Sequence, residues 1–204
     1  GVFDGAEIHE ATLTLYAIAK HNATYEIFAP NIDQHHVINH ITGDEMPEKR
    51  NVLVESARIA RGKITDLAKF DASQFDALIF PGGFGVAKNL CTFAFDGVNC
   101  KVNIDVEKAI RSMIERKKPV GALCIAPVLL AKILGDVELT IGQDKGTADA
   151  VRNMGARHKE TTHGDVIVDK KYKVATTPCY MLDATIAQIG DGANNVVKAI
   201  LEMA

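Results

Sequence analysis

Cys124 stands in the run Val120-Gly121-Ala122-Leu123-Cys124-Ile125-Ala126-Pro127, an apolar stretch leading into a segment that carries proline near the start of a helix. A strand feeding a helix through such a junction leaves the junction residue at the carboxyl end of the sheet, where open α/β folds bind their ligands. A thiol there is a candidate nucleophile. The N-terminus of the next helix favours an anion, which is expected to lower the thiol pKa. The turn also aims backbone N–H groups at whatever the sulfur attacks. The bland alternative is a small buried hydrophobe, the usual role of a free cysteine. A second turn, Pro81-Gly82-Gly83-Phe84-Gly85, weighs against it. It closes another apolar run, Asp76 to Phe80, and its glycines let backbone N–H groups come close to a substrate oxygen.

Other constellations carry less. His35, His36 and His40 with Asp33 resemble a metal cluster, and His36 and His40 have i,i+4 spacing. The region reads as a loop, however, and neither cysteine spacing nor a Glu-x-x-His pattern supports zinc, so no metal is expected. Arg50, Arg58 and Arg61 could pair with an anionic substrate. A salt-bridged helix face with Glu48 and Glu55 is the better reading. Gly82-Gly83-x-Gly85 is not a dinucleotide fingerprint, because G-x-G-x-x-G at a helix start is missing, and no cofactor is expected.

The elements that must position Cys124 follow from periodicity and breakers. Helices are expected over Ala6–Lys20, Asn51–Ala60, Ile104–Lys117, Ala126–Leu134 and Thr147–Met154, then Met181–Ile189 and Ala193–Met203. Strands are expected over Thr24–Ala29, Asp76–Phe80, Pro119–Cys124 and Val137–Ile141, with a hairpin of Asp165–Val168 and Lys173–Thr176. Asn31–Glu48 is a polar loop. Alternating strands and helices predict an α/β domain with a mostly parallel sheet covered on both faces. Gly1-Val2-Phe3-Asp4-Gly5 reads as the loop after a first strand, which is therefore expected upstream of Gly1. No linker, low-complexity tract or repeat divides residues 1–204, so one domain is expected.

Composition bounds the partners. The chain has 204 residues, 47% hydrophobic and 24% charged, an ordinary globular balance able to bury a core without disulfides. A net charge of −3 offers no footprint for nucleic acid or an anionic membrane. No apolar run approaches the roughly 20 residues of a membrane helix. Cys91, Cys100, Cys124 and Cys179 form no CxxC pair and read as free thiols of a reducing compartment. The cytoplasm is expected, or the mitochondrial matrix if a transit segment has been removed.

Five segments carry a resemblance: DGAEIHEA (Asp4–Ala11), RNVLVESARIARGKI (Arg50–Ile64), FPGGFGVAKNL (Phe80–Leu90), CIAP (Cys124–Pro127) and TTPCYM (Thr176–Met181). In this order they resemble the ElbB-like branch of the PfpI/ThiJ superfamily, within the class I glutamine-amidotransferase-like proteins. The resemblance implies a flavodoxin-like fold with a nucleophile elbow at Cys124 after a central strand. It also implies a homodimer and an acidic residue on the first helix that meets the elbow thiol. Glu10 best matches that position, and Glu7, one turn away, could substitute. Relatives are associated with cofactor-independent glyoxalase chemistry and, by name only, with isoprenoid biosynthesis.

The departures narrow the function. Superfamily members with a catalytic histidine carry it after the cysteine, here Ile125, or at the end of the next strand, here Gly142. Glutamine hydrolysis by a Cys-His-Glu triad is therefore not expected. His9 could supply a base, but its place next to Glu10 points the two side chains apart. Cys179 stands where alanine is expected and reads as a packing substitution. The expected activity is conversion of a small 2-oxoaldehyde, methylglyoxal or glyoxal, to a hydroxy acid. Cys124 would form a hemithioacetal, Glu10 would move protons, and N–H groups of the Gly82-Gly83 turn and Ile125 would hold the oxyanion. The alternative is a redox-sensing or binding protein that uses the same cysteine without turnover.

Overall fold

In the computed structural model, which describes residues 1–204, the helices in chain order are α1 (Ile8–Lys20), α2 (Val52–Ile59), α3 (Phe93–Asp96), α4 (Ile104–Glu115), α5 (Pro127–Leu134), α6 (Lys145–Asn153) and α7 (Ile186–Met203). The strands are β1 (Phe28–Ala29), β2 (Thr65–Asp66), β3 (Leu78–Phe80), β4 (Val120–Leu123), β5 (Glu138–Leu139), β6 (Arg157–His158), β7 (Ile167–Asp169) and β8 (Val174–Thr177). The sheet order β3-β4-β8-β7 puts β4 and β8 at its centre, and every residue of both is buried. Strands covered on both faces need no polar alternation, which is why Val-Gly-Ala-Leu suffices for β4. β3, β4 and β8 run parallel, and β7 returns antiparallel on β8 as the expected hairpin.

Helices α7 and α1 cover one face, with α7 against β4 and β8 and α1 against α7. Beneath α7 lies a small apolar cluster that includes Leu123, Cys124, Cys179, Ile189 and Val196. The main core fills the other face, where α4 contributes Val106, Ala109, Ile110 and Met113, one stripe at helical spacing. Two further pairs, β1-β2 and β5-β6, are parallel and separate from the central ladder.

The boundaries carry the main corrections. The two helices expected from Met181 and Ala193 are one, α7, opened by a capping box in which Thr185 and Gln188 satisfy each other's backbone. Gly190 and Gly192 do not break it. At Gly192 a Cβ would lie 3.2 Å from the Cys179 sulfur, so this glycine serves close packing. The strands expected over Thr24–Ala29 and Val137–Ile141 shorten to β1 and β5, and a single π-helical turn, Val86–Leu90, follows the glycine loop where no element was expected.

Between β1 and β3 there is no ladder: β1 pairs with β2 and β3 with β4. The gap is a largely apolar cavity of about 780 Å³, lined among others by Leu15, Ile18, Phe28, Ile59, Leu78 and Val197, with Gly1 also on its wall.

Candidate active site

The elbow is made by backbone strain held in place from both sides. Cys124 has φ +59°, the left-handed region that a side chain disfavours. Its N–H donates to Thr177 O at 3.0 Å, tying it to the end of β8. Pro127 then opens α5 at a first-turn position, where its missing N–H costs nothing. The sulfur residue is 7% exposed.

The glycine turn closes over it. A Cβ on Gly82 would lie 2.4 Å from the Cys124 Cβ and 2.8 Å from its sulfur. Gly83 has φ +101°, and a Cβ there would meet Glu7 N and Gly5 O at 2.4 Å each. Both positions therefore exclude any larger residue, for contact at Gly82 and for contact and backbone angle at Gly83. The N–H groups of Gly83 and Ile125 face the sulfur closely enough to favour its anion.

Glu10 reaches the same point from α1. It is fully buried; Oε2 accepts the Gly82 N–H at 2.8 Å and Oε1 accepts the Tyr180 N–H at 3.2 Å. Burial pushes its pKa up to about 7, against the lowering pull of the Tyr180 and Gly82 N–H groups. The Glu7 charge raises it further, and the Cys124 thiol lowers it.

The low thiol pKa expected at Cys124 is not found. Burial, and then the Glu10 charge, push it well above the usual cysteine range, outweighing the Gly83 and Ile125 N–H groups. The reason is that the helix end acts on a sulfur that is largely buried and set beside a carboxylate. The thiol is thus protonated at neutral pH, and Glu10, half-ionised near 7, is the base placed to take its proton.

Glu7 caps α1. Its Oε2 accepts the Glu10 N–H at 2.7 Å, and its own N–H donates to Gly82 O at 2.9 Å. His9 is exposed and does not bond the thiol pair; its Nδ1 lies 2.8 Å from the Tyr180 hydroxyl. Cys179 is buried in the apolar cluster that holds Cys124, has φ +42°, and has its thiol pKa raised by burial, then by Glu10 and Glu7. Tyr180 is the residue missed from sequence. The Thr-Pro-Cys-Tyr-Met run drew attention to its cysteine, whereas the N–H after that cysteine is what holds Glu10.

Two of the polar-loop histidines stay together, the His35 and His36 rings meeting edge to face with centroids 4.6 Å apart, while His40 pairs elsewhere. His35 packs on Phe95, His36 lies 3.9 Å from Glu45, and His40 Nε2 accepts the Phe3 N–H at 3.2 Å. Arg50 pairs with Glu48 at 2.5 Å and Arg58 with Glu55 at 2.9 Å, while Arg61, expected on the same face, makes no ion pair.

The order of these pieces, an acidic residue on the first helix, a glycine turn after one strand and a strained cysteine after the next, matches a known family. The DJ-1/PfpI family model matches residues 2–186. The chain belongs to the DJ-1/PfpI family. Among curated relatives, it is 49% identical to the ES1 protein homolog, mitochondrial, of Rattus norvegicus, over all of this chain and 80% of that protein. It is 48% identical, with the same coverage, to the human glutamine amidotransferase-like class 1 domain-containing protein 3, mitochondrial. A crystal structure of an isoprenoid biosynthesis protein with amidotransferase-like domain from Ehrlichia chaffeensis superposes with a TM-score of 0.93 at 32% identity, covering 100% of this chain and 94% of that one. Glyoxalase III from Candida albicans shares the fold at a TM-score of 0.61 and 14% identity, over 99% of this chain and 92% of that one. The DJ-1/PfpI fold is thus the flavodoxin-like arrangement expected, in the ElbB-like surroundings expected.

Proposed function

We propose that this DJ-1/PfpI protein is a cofactor-independent glyoxalase-like enzyme that converts small 2-oxoaldehydes to hydroxy acids at Cys124. The observation that carries the reading is the buried Cys124–Glu10 pair set beside the Gly83 and Ile125 N–H groups. The Glu10 carboxylate accepts the thiol proton as the sulfur adds to the aldehyde carbon and passes it to the new oxygen, which the two N–H groups hold while it is negative, giving a hemithioacetal and a free carboxylate. Moving the proton from that carbon to the neighbouring carbonyl carbon through Glu10, and the hydroxyl proton to the neighbouring carbonyl oxygen, yields a thioester of the hydroxy acid. Water cleaves the thioester and returns the thiol. The net change is addition of one water to the 2-oxoaldehyde, so no oxidant or cofactor enters. The shared fold of the Candida glyoxalase III supports the reading at the level of the scaffold.

The test is methylglyoxal consumption with lactate quantified, for the wild type and for Cys124→Ala and Glu10→Gln. Loss of lactate formation by at least about 100-fold in both variants is expected, the usual scale for an essential nucleophile or general base. Turnover retained by Cys124→Ala would sink the mechanism. A redox role for the same cysteine is the second reading. The raised thiol pKa argues against it, since peroxide oxidises the thiolate. The mitochondrial names of the mammalian relatives support that compartment over the cytoplasm. The homodimer implied by the family belongs to the same proposal, and sedimentation at equilibrium tests it.

A further inference from the structure

His9 and Glu10 are neighbours on α1, and one helix step turns their side chains about 100° apart. Both nevertheless reach Tyr180. Glu10, inside, accepts the Tyr180 N–H on Oε1 at 3.2 Å, while His9, outside, holds the Tyr180 hydroxyl with Nδ1 at 2.8 Å. The His9 and Tyr180 rings lie 5.8 Å apart between centroids. Tyr180 therefore straddles the helix, with its backbone on the buried side and its phenol on the exposed side. The mechanism above uses Glu10 and leaves the outer contact without a task.

The turn that carries Tyr180 is strained and has to be held. Cys179–Met181 is a single 3-10 turn entered through Cys179 at φ +42°. Its own backbone bonds run from the Met181 N–H to Pro178 O and from the Leu182 N–H to Cys179 O, which leaves the Tyr180 N–H for Glu10. Behind it, the Cys179 sulfur is seated against Gly192 of α7, where a Cβ would lie 3.2 Å from it. In front, α1 meets it at Glu10 through the backbone and at His9 through the phenol. Burial, then the Glu7 and Glu10 charges, push the phenol pKa up, so the hydroxyl keeps its hydrogen at neutral pH.

The titratable groups that face Glu10 are Glu7 on its own helix, the Cys124 thiol on the elbow, and Cys179 and the Tyr180 phenol on the turn; none is a cation. The ionised carboxylate thus depends on the Tyr180 and Gly82 N–H groups and on the thiol. Gly82 is fixed by close packing that leaves no room for a Cβ. The Tyr180 donor is fixed by a side-chain bond at the surface, which a substitution can remove.

We propose that His9 and Tyr180 are positioning residues for the Cys124–Glu10 pair: their side-chain bond clips the Cys179–Met181 turn to α1 and keeps the Tyr180 N–H on the Glu10 carboxylate. A hydrogen bond donated to a carboxylate favours its ionised form. Without the clip Glu10 should hold its proton to higher pH, and less of the base should be available near neutrality. The role rests on Glu10 being that base, and it is read on Glu10 itself rather than on turnover.

Carbon NMR of protein isotope-labelled at the glutamate side-chain carboxyls follows Glu10 through its titration, and Glu10→Gln identifies its signal. The wild type should titrate near pH 7. Tyr180→Phe, which keeps the ring and the backbone N–H, and His9→Ala should each raise the midpoint by about 0.5 or more. The double variant should raise it no further, because the same bond is lost in all three. His9→Asn, whose amide can take the place of Nδ1, should restore most of the wild-type value. A midpoint unmoved in the folded single variants, even with a lower Tm, makes the bond a structural one and overturns the inference. If Tyr180→Phe does not fold, His9→Ala, at an exposed position, decides the test alone. Methylglyoxal left unconverted with the midpoints shifted as expected removes the glyoxalase reading and leaves the clip standing. Lactate formed through Cys124 and Glu10 with the midpoints unmoved does the reverse.

Discussion

Glu10 is a carboxyl group folded into a place where its charge is costly, so its ionisation must appear in both stability and activity. Its pKa stands near 7 in the folded chain, where burial is the largest cause, against 4.5 for the free side chain. Between those values the folded state holds a proton that the unfolded state has lost, so stability falls as pH rises. The contribution is full below about pH 4.5 and gone above about 7, and it amounts to on the order of 3 kcal/mol. Urea unfolding of the wild type should show this decline, and Glu10→Gln should flatten it across the same window. Activity should run the other way, rising with pH to a midpoint near 7, because the base must be ionised to take the thiol proton. A flat rate profile from pH 6 to 8 would remove Glu10 from that role. Cys124 was legible from its strand-to-helix position, and Glu10 only through the family resemblance, which implies an acidic residue on the first helix. Tyr180 was not, because its contribution is a backbone N–H that no residue type signals. The raised thiol pKa was not legible either: the helix end is visible in sequence, but the burial and the carboxylate that outweigh it are tertiary.

Helices and turns are positioned by glycine in two different ways, and substitutions separate them. In α7, Gly190 has ordinary space around it, since a Cβ there would meet Leu13 Cδ2 at 3.9 Å. Gly190→Ala should therefore stabilise the protein by about 0.5–1 kcal/mol, the helical preference of alanine. Gly192→Ala, two residues on, meets Cys179 Sγ at 3.2 Å and Thr177 Oγ1 at 3.3 Å and should lose that gain or destabilise. Thermal unfolding of the two variants checks the contrast; equal shifts would mean α7 packs less closely than described. Gly83→Ala should cost more than about 2 kcal/mol, from backbone strain and contact with Glu7 and Gly5 together, and should displace an oxyanion donor. Recovery of wild-type stability in that variant would contradict the close packing of the turn. These glycines also mark what sequence periodicity could and could not read. Strand β4 and helix α4 were legible because an apolar run and a 3.6-residue stripe are local signals. The continuity of α7 was not, since a glycine breaking a helix and a glycine admitting a neighbour look alike until the neighbour is known.

The molecule as a whole is built on a mostly parallel sheet, with β7 antiparallel at one edge, and its interruption between β1 and β3 bears on the site. Gly1 lies on the wall of the 780 Å³ gap. The loop that follows it carries Gly5 and Glu7, which pack directly on Gly83. Anything that orders the gap therefore orders the glycine turn over Cys124. A parallel strand of about six residues would satisfy the open edges of β1 and β3 and bury apolar side chains on both faces. A chain extended ahead of Gly1 by six residues rich in valine and isoleucine should show slower amide exchange along β1 and β3, and a Tm higher by at least about 5 °C if the net gain exceeds 1 kcal/mol. The rate of Cys124 alkylation by iodoacetamide should change with it, because the N–H of Gly83 is set by the same loop. Unchanged exchange at β1 and β3 would mean that the segment does not enter the gap. Changed exchange with unchanged Cys124 reactivity would mean that the loop holds the turn without help from the sheet.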